Sequence, residues 1–294
     1  MSKWVERKIS KNPEVPAYEK LRRHMKRKFN KIYKSLALKS DGHVFCLLFN
    51  FRAWIRSKSA RFAFSKEEQI YVATEGIYKR FFYEKNRISV FEDGVAERGL
   101  SLGRSYFLER IRFSENDVVI DCGANVGDLE IFFREKGLNV VYYGLEPSPR
   151  EYECLSKNVG HARTFNIGLW KEDGELDFYV SSAGADSSFI QPFAFTTVTK
   201  IQTKRLDSIF RGPIKLLKIE AEGAEPEVLW GAEGLLAKIE YISADLGFER
   251  GVAQESTLVP VTNFLMERNF ELLEVGYPRI VALFRNRGFP LISP

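Results

Sequence analysis

Val118-Val-Ile-Asp-Cys-Gly-Ala-Asn-Val-Gly127 decides the reading of this chain. A β-branched run ends on an acid, Asp121, and glycines at 123 and 127 open a turn before the apolar-periodic stretch Leu129-Glu-Ile-Phe-Phe133. The pattern predicts a strand, a loop and a helix whose start offers free N–H groups and a positive dipole end. A second apolar run, Val140-Val-Tyr-Tyr-Gly-Leu145, then delivers Glu146. That spacing, about twenty residues, is where a Rossmann-like unit places the acid that holds ribose hydroxyls.

Outward from this unit, strand and helix alternate. Strands are expected at 118–121, 140–145, 163–169, 216–219, 241–244, 270–275 and 280–284, and helices around 128–136, 149–158, 225–237 and 257–268. Such alternation predicts an α/β fold with a doubly wound, mostly parallel, seven-stranded sheet and ligands at the carboxyl ends of its strands. The last two strands are joined only by Gly276-Tyr-Pro-Arg279, too short for a parallel crossover, so they form an antiparallel hairpin. By fold-level analogy, that ending separates Rossmann-like class I methyltransferases from dinucleotide dehydrogenases.

Upstream, Ile77-Tyr-Lys-Arg-Phe-Phe-Tyr83 and Arg87-Ile-Ser-Val-Phe91 flank Glu84-Lys-Asn-Arg87 and read as a hairpin, and 102–111 reads as a helix. Residues 1–40 place Leu21, Met25, Phe29, Ile32 and Leu36 at helical spacing among basic residues, predicting an amphipathic helix with a narrow apolar stripe. Phe45, Phe49, Phe51, Trp54, Phe62 and Phe64 follow, interrupted by Arg52, Arg56, Lys58 and Arg61. The expected organisation is a basic, aromatic-rich helical extension over 1–64, a β-hairpin and helix over 65–113, and the Rossmann-like core over 114–294.

With 294 residues, 45% of them hydrophobic, the chain can bury an ordinary globular core. Cys46, Cys122 and Cys154 suggest neither a disulfide framework nor a metal site, so a reducing, cytoplasmic setting is expected. The Met1 end does not read as a secretory signal, and the longest apolar run, Val44-Phe-Cys-Leu-Leu-Phe49, falls far short of the roughly 20 residues that cross a bilayer. The net charge of +5 hides an asymmetry: residues 1–60 hold 16 Lys and Arg against 4 Asp and Glu, leaving 28 against 35 for the rest. The basic segment suits nucleic acid, an anionic membrane at its inner face, or glycan-assembly machinery, and reads equally as a solvated helical extension.

Within Asp121-Cys-Gly-Ala-Asn-Val-Gly127, the glycines remove Cβ atoms where a ligand can press on the backbone. A dinucleotide site wants a glycine where Asn125 stands, and the Gly-Lys-Ser/Thr of a phosphate-binding P-loop is absent. S-adenosylmethionine asks for less: an acid and backbone N–H groups for its amino-acid end, and a second acid for its ribose. Asp121 and Glu146 are the natural pair, with a helix-capping role for Asp121 as the alternative.

Four motifs in order make the resemblance specific: Asp121-Cys-Gly-Ala-Asn-Val-Gly127, Glu146-Pro-Ser-Pro149, Asn166-Ile-Gly-Leu169 with Gly174-Glu-Leu-Asp-Phe178, and Leu217-Lys-Ile-Glu-Ala-Glu-Gly-Ala-Glu225 with Gly231-Ala232. From Tyr71 onward the chain resembles the FkbM family of S-adenosylmethionine-dependent methyltransferases. The resemblance implies methyl transfer to oxygen, commonly a hydroxyl of a sugar or polyketide. It also implies that Asp121, Gly123, Asn125 and Gly127 line the methionine end, Glu146 with Ser148 the ribose, and Asn166 or Ile167 the adenine, with a turn-forming role for Asn166 as the alternative. One departure is that the family usually has Asp where Glu220 stands, so this carboxylate reaches further.

A sugar hydroxyl needs a base, and His24, His43 and His161 are poorly placed for the task. The candidates are carboxylates: Glu222, which matches the family pattern, then Glu220 and Asp245. Glu225, Glu249 and Arg250 are read as substrate-binding groups, with Glu225 alternatively starting a helix and Arg250 alternatively bridging to Glu249 or Asp245. Glu220, Glu222 and Asp245 also have the oxygen chemistry of a divalent-cation site, but none is expected. The expected activity is therefore methylation of a hydroxyl in a glycan or glycosylated metabolite. Alternatives are a nucleic-acid methyltransferase using the basic segment, disfavoured because the Asn/Asp-Pro-Pro-aromatic tetrapeptide is missing, and a non-catalytic membrane-associated scaffold.

Overall fold

A computed structural model describes residues 39–181 and 187–289, together with His24 and Ser35. The expected helix over 1–40 and the centre of the 181–188 loop lie outside the described residues. The first helix, α1 (Gly42–Ile55), starts at Asp41, whose Oδ1 accepts the His43 and Val44 N–H groups at 2.8 and 3.0 Å. It buries Phe45, Cys46, Phe49 and Ala53. These pack with residues of an antiparallel sheet made of β1 (Arg61–Ser65), β2 (Ile70–Glu75) and β3 (Tyr78–Phe82).

The upstream hairpin is thus β2–β3, not the pair expected across residues 84–87. Residues 85–91 form a 3-10 helix instead. Ile88 and Phe91, three apart, both bury into the aromatic cluster of α1 and the small sheet. Burial at that interval suits three residues per turn and not a strand's period of two.

After α2 (Val95–Ser105) the chain enters the large sheet through β4 (Val118–Cys122), α3 (Glu130–Glu135), β5 (Val141–Leu145), α4 (Pro149–Val159) and β6 (Thr164–Phe165). The strand expected over 163–169 breaks at Asn166, whose Nδ2 donates to the carbonyls of Glu146 and Pro147 at 2.9 and 3.0 Å. β7 (Gly168–Leu169) then leaves the large sheet for a smaller one with β8 (Gly174–Val180) and β9 (Thr197–Lys204). The chain returns through β10 (Ile214–Ile219), α5 (Glu225–Trp230) and β11 (Ile239–Asp245). A short ribbon, β12 (Phe248–Arg250) with β13 (Glu255–Ser256), precedes α6 (Leu258–Glu267), β14 (Phe270–Val275) and β15 (Val281–Asn286).

The seven strands lie in the order β14-β15-β11-β10-β4-β5-β6. Six run in one direction, and β15 is antiparallel to both its neighbours, β11 and β14, as the short connection requires. This is the Rossmann-like class I methyltransferase fold. Every residue of β10 is buried, as expected of a central strand covered on both faces. Strand order reverses between β4 and β10, and the crevice at such a switch point is where α/β sheets take their ligands.

The N-terminal elements are fastened onto this sheet. Asn158 of α4 accepts from Phe81 N at 2.8 Å and donates to the carbonyls of Phe81 and Val126 at 3.0 and 2.8 Å. Arg80 is buried and bridges to Glu130. Val126, Ile131 and Cys154 share one apolar cluster with α1 and β1–β3. All three thiols, Cys46, Cys122 and Cys154, are buried in the core.

Candidate active site

At the switch point, a cleft of about 160 Å³ runs from the β4 loop past the ends of β5 and β10. The loop beginning at Gly123 is shaped by packing as much as by any ligand. A Cβ on Gly123 (φ +71°) would sit 1.9 Å from the Glu220 carbonyl oxygen, and one on Gly127 (φ +83°) would sit 2.7 Å from Val159 and 2.9 Å from Leu155 of α4. The sequence reading assigned both glycines to ligand clearance. At these two positions it is protein that presses.

Asp121 lies under the loop, 1% exposed. Lys218 Nζ contacts its Oδ1 at 2.8 Å and the Tyr142 hydroxyl donates to its Oδ2. Burial pushes its carboxyl up, against the pull of Lys218. Lys218 also reaches Glu220 Oε2 at 3.1 Å and donates to the Gly123 carbonyl at 2.9 Å. Burial alone would lower this ammonium, but Asp121 and Glu220 outweigh it and hold it protonated.

Glu146 walls the opposite side of the loop. Its carboxylate accepts Asn125 N at 2.8 Å and Ser148 N at 2.9 Å, and burial pushes it up to about 7. The Ser148 hydroxyl donates to Glu151, so it is already engaged within the protein. Asn166 makes turn-type hydrogen bonds to the Glu146 and Pro147 carbonyls, and Ile167 lines the cleft. Beyond Ile167 the wall is aromatic: the Phe178 and Phe189 rings lie 4.9 Å apart, and Trp170 lies 5.7 Å from Phe189. Phe178 closes the Gly174–Phe178 motif but was given no role there, and Phe189 carried no motif, so the sequence reading placed neither in the cleft.

At the end of β10, Glu220 and Glu222 line the cleft. Burial would raise Glu220, but Lys218 and Arg279 overcome it and bring the carboxyl down to about 2. Arg279, from the β14–β15 turn, pairs with Glu220 and Asp245 and donates to the Tyr106 hydroxyl at 2.9 Å. Asp245 is 1% exposed and also accepts Gly247 N at 3.2 Å. Glu220 therefore lacks the proton affinity expected of a base at neutral pH, and Asp245 is tied to Arg279. Glu222 stands in a left-handed turn (φ 49°), and its carbonyl accepts from the Ser188 hydroxyl at 2.8 Å.

Two of the three side chains read as substrate-binding are engaged within the protein. Glu225 is 1% exposed and accepts from Ala221 N, Gly223 N and Thr257 Oγ1 at 3.0, 3.1 and 2.9 Å, so it orders the loop. Arg250 is a bridge, but to neither expected partner: it grips Glu227 bidentately at 2.7 and 2.8 Å. Glu249 remains half-buried beside Asp245, pushed up to about 7 by burial and by Asp245, Glu225 and Glu220. Among the described residues, no group of three carboxylate, Cys or His side chains could hold a metal ion, and no helix is long and apolar enough to cross a membrane.

The family model for the FkbM methyltransferase domain matches residues 121–290, more than half of the chain. The chain belongs to the FkbM methyltransferase family. It is a methyltransferase, and the matched span holds every candidate site residue named so far. Among its relatives is 2-O-methyltransferase NoeI of Sinorhizobium fredii (strain NBRC 101917 / NGR234), 23% identical over 228 residues that cover 69% of this chain and 93% of that protein. Methyltransferase sdnD of Sordaria araneosa is 22% identical over 192 residues, covering 46% of this chain and 74% of sdnD. The solved FkbM methyltransferase from Methylobacillus flagellatus KT aligns with a TM-score of 0.45 at 15% identity over 68% of this chain. The chain spans 59% of the length of that structure.

Proposed function

We propose that this family member is an S-adenosylmethionine-dependent O-methyltransferase whose acceptor is a sugar hydroxyl in a glycan or glycosylated metabolite. The observation that carries the reading is the cleft at the β4/β10 switch point, with Glu146 at one end and Glu222 at the other. Its walls fit the cofactor. Glu146 suits ribose hydroxyls, the Phe178–Phe189 wall suits a base, and Asn125 Oδ1 is a buried acceptor without a partner at the Gly123 end. When bound, the cofactor supplies a methyl group on a sulfonium, set for in-line displacement.

Glu222 takes the acceptor proton in this scheme, because Glu220 and Asp245 are committed to Arg279. Lys218 and Arg279 hold Glu220 rigid and anionic at the transfer end, and Glu249 reaches the acceptor from the ribbon after β11. The name 2-O-methyltransferase carried by the Sinorhizobium relative supports transfer to a hydroxyl. Calorimetry with S-adenosylhomocysteine should show binding that Glu146→Ala weakens, and no binding to the full chain would end the reading. Glu222→Gln should lower kcat by about 10²- to 10⁴-fold while leaving that binding intact. Mass spectrometry of candidate glycans after incubation reads the acceptor class, and a methylated amine in place of a methyl ether would overturn it.

A peripheral contact with an anionic membrane, on its cytoplasmic side, completes the proposal. Leu47, Phe51, Trp54 and Ile55 of α1 are 67%, 58%, 68% and 62% exposed, away from its packed face. They lie within residues 1–60, which hold 16 basic against 4 acidic residues, and exposed apolar side chains in so basic a segment fit anionic lipid. Flotation with phosphatidylserine vesicles should fall with Leu47→Ser/Trp54→Ser, and equal flotation of this variant would sink the contact.

A further inference from the structure

We infer that Arg87 and Arg98 form the binding site for the carboxylate of the cofactor's amino-acid end, so that residues outside the matched FkbM domain complete the cofactor cleft. The inference rests on the S-adenosylmethionine reading above. Arg87 lies on the 3-10 helix at 85–91 and Arg98 on α2, both before the matched span begins at residue 121. Both nevertheless line the cleft beside Gly123 and Asn125.

Their partners leave charge and donors to spare. Arg87 Nη2 and Arg98 Nε converge on the same oxygen, Oδ2 of Asp128, at 2.6 and 3.0 Å. Asp128 is 3% exposed, and although burial would raise it, the two guanidiniums hold it below the usual carboxylate range. Two cations against one anion leave a positive charge at the cleft wall. Each guanidinium carries five N–H donors and spends one on Asp128, and Arg87 Nε is buried without a partner. Planar forks with free donors are the geometry that carboxylates fit.

The opposite wall has the opposite balance. A small recess adjoining the cleft is bounded by Arg87 and Arg98 on one side and by Asp121, Lys218 and Glu220 on the other. With Arg279 and Asp245 included, that side carries three carboxylates against two cations. A surplus of one positive charge facing a surplus of one negative charge matches a zwitterionic amino acid. A nucleotide phosphate would meet the acidic wall. Asn125 Oδ1, buried and unpartnered in the same recess, adds an acceptor for the ammonium.

The test compares two ligands on the full chain by calorimetry: S-adenosylhomocysteine and its analogue lacking the α-carboxylate. The unaltered protein should prefer the first by on the order of 10- to 100-fold. Arg98→Gln and Arg87→Gln should each shrink that preference toward unity while affinity for the decarboxylated analogue holds, and Arg98→Lys should restore part of it. Equal weakening of both ligands, or no preference in the unaltered protein, would overturn the inference. Failure of either ligand to bind would overturn the cofactor reading itself, which separates the two failures. Should Arg87→Gln not fold, the more exposed Arg98 carries the comparison alone.

Discussion

Glu146 and Glu220 are glutamates just past the ends of parallel strands, β5 and β10, and they wall the same cleft, yet they are held in opposite ways. Glu146 is held by two backbone N–H groups, and burial dominates, pushing it up to about 7. Glu220 is held by Lys218 and Arg279, which overcome burial and bring it to about 2. The two backbone donors pull Glu146 down without overcoming its burial. The two side-chain cations overcome that of Glu220. In the proposed scheme, the raised carboxyl stands at the end that meets the ribose hydroxyls, and the lowered one at the end where the methyl is transferred.

The strongest way to break this contrast is to remove the shared cation. Lys218→Met should cost about 3–5 kcal/mol in denaturant unfolding, because Asp121 and Glu220 lose their counter-charge in a buried setting. Adding Asp121→Asn should recover part of that loss, and a single-variant cost below about 1 kcal/mol would contradict the pairing.

Glu146 gives the next largest effect, through pH. A carboxyl raised in the folded state contributes fully below its ordinary value of 4.5, and that contribution is lost as pH rises through about 7. Between those limits the native protein should lose about 3 kcal/mol relative to Glu146→Gln. Thermal melts of the two proteins across this range read the difference, and parallel curves would refute it.

Glu249, proposed to meet the acceptor, sharpens the contrast. Its raised carboxyl should appear as a step near 7 in the pH profile of kcat/KM. Glu249→Gln should remove the step and raise KM for the acceptor by about 10-fold with kcat nearly kept. A collapse of kcat instead would move the base from Glu222 to Glu249. The smallest effect belongs to Asn166→Ala, which frees the Glu146 and Pro147 carbonyls and should cost about 1 kcal/mol of stability with little change in S-adenosylhomocysteine affinity.

What the sequence made legible were features carried by contiguous residues. The β4 loop, the acid after β5, the buried β10 and the short Gly276–Arg279 connection each announce themselves through local pattern, and together they define the sheet order. What stayed hidden were pairings across the chain. Arg279 meets a carboxylate 59 residues earlier, Arg250 chooses Glu227 over its neighbours, and Arg87 and Arg98 reach the cleft from outside the core. A long cationic side chain gives no local signal of which acid it will find. The misplaced hairpin has a different cause: Ile88 and Phe91 look like strand residues by type, and only packing against α1 and β3 selects the three-residue interval.

The contact between Gly123 and the Glu220 carbonyl oxygen ties the two halves of the cleft together. Because no side chain fits between them, the loop after β4 and the loop after β10 are interlocked parts of a single cassette. Redesign for a new acceptor must therefore keep residues 121–127 and 220–225 as a matched set, since a graft of either loop alone would bring in a partner whose backbone does not pass through the gap the other leaves.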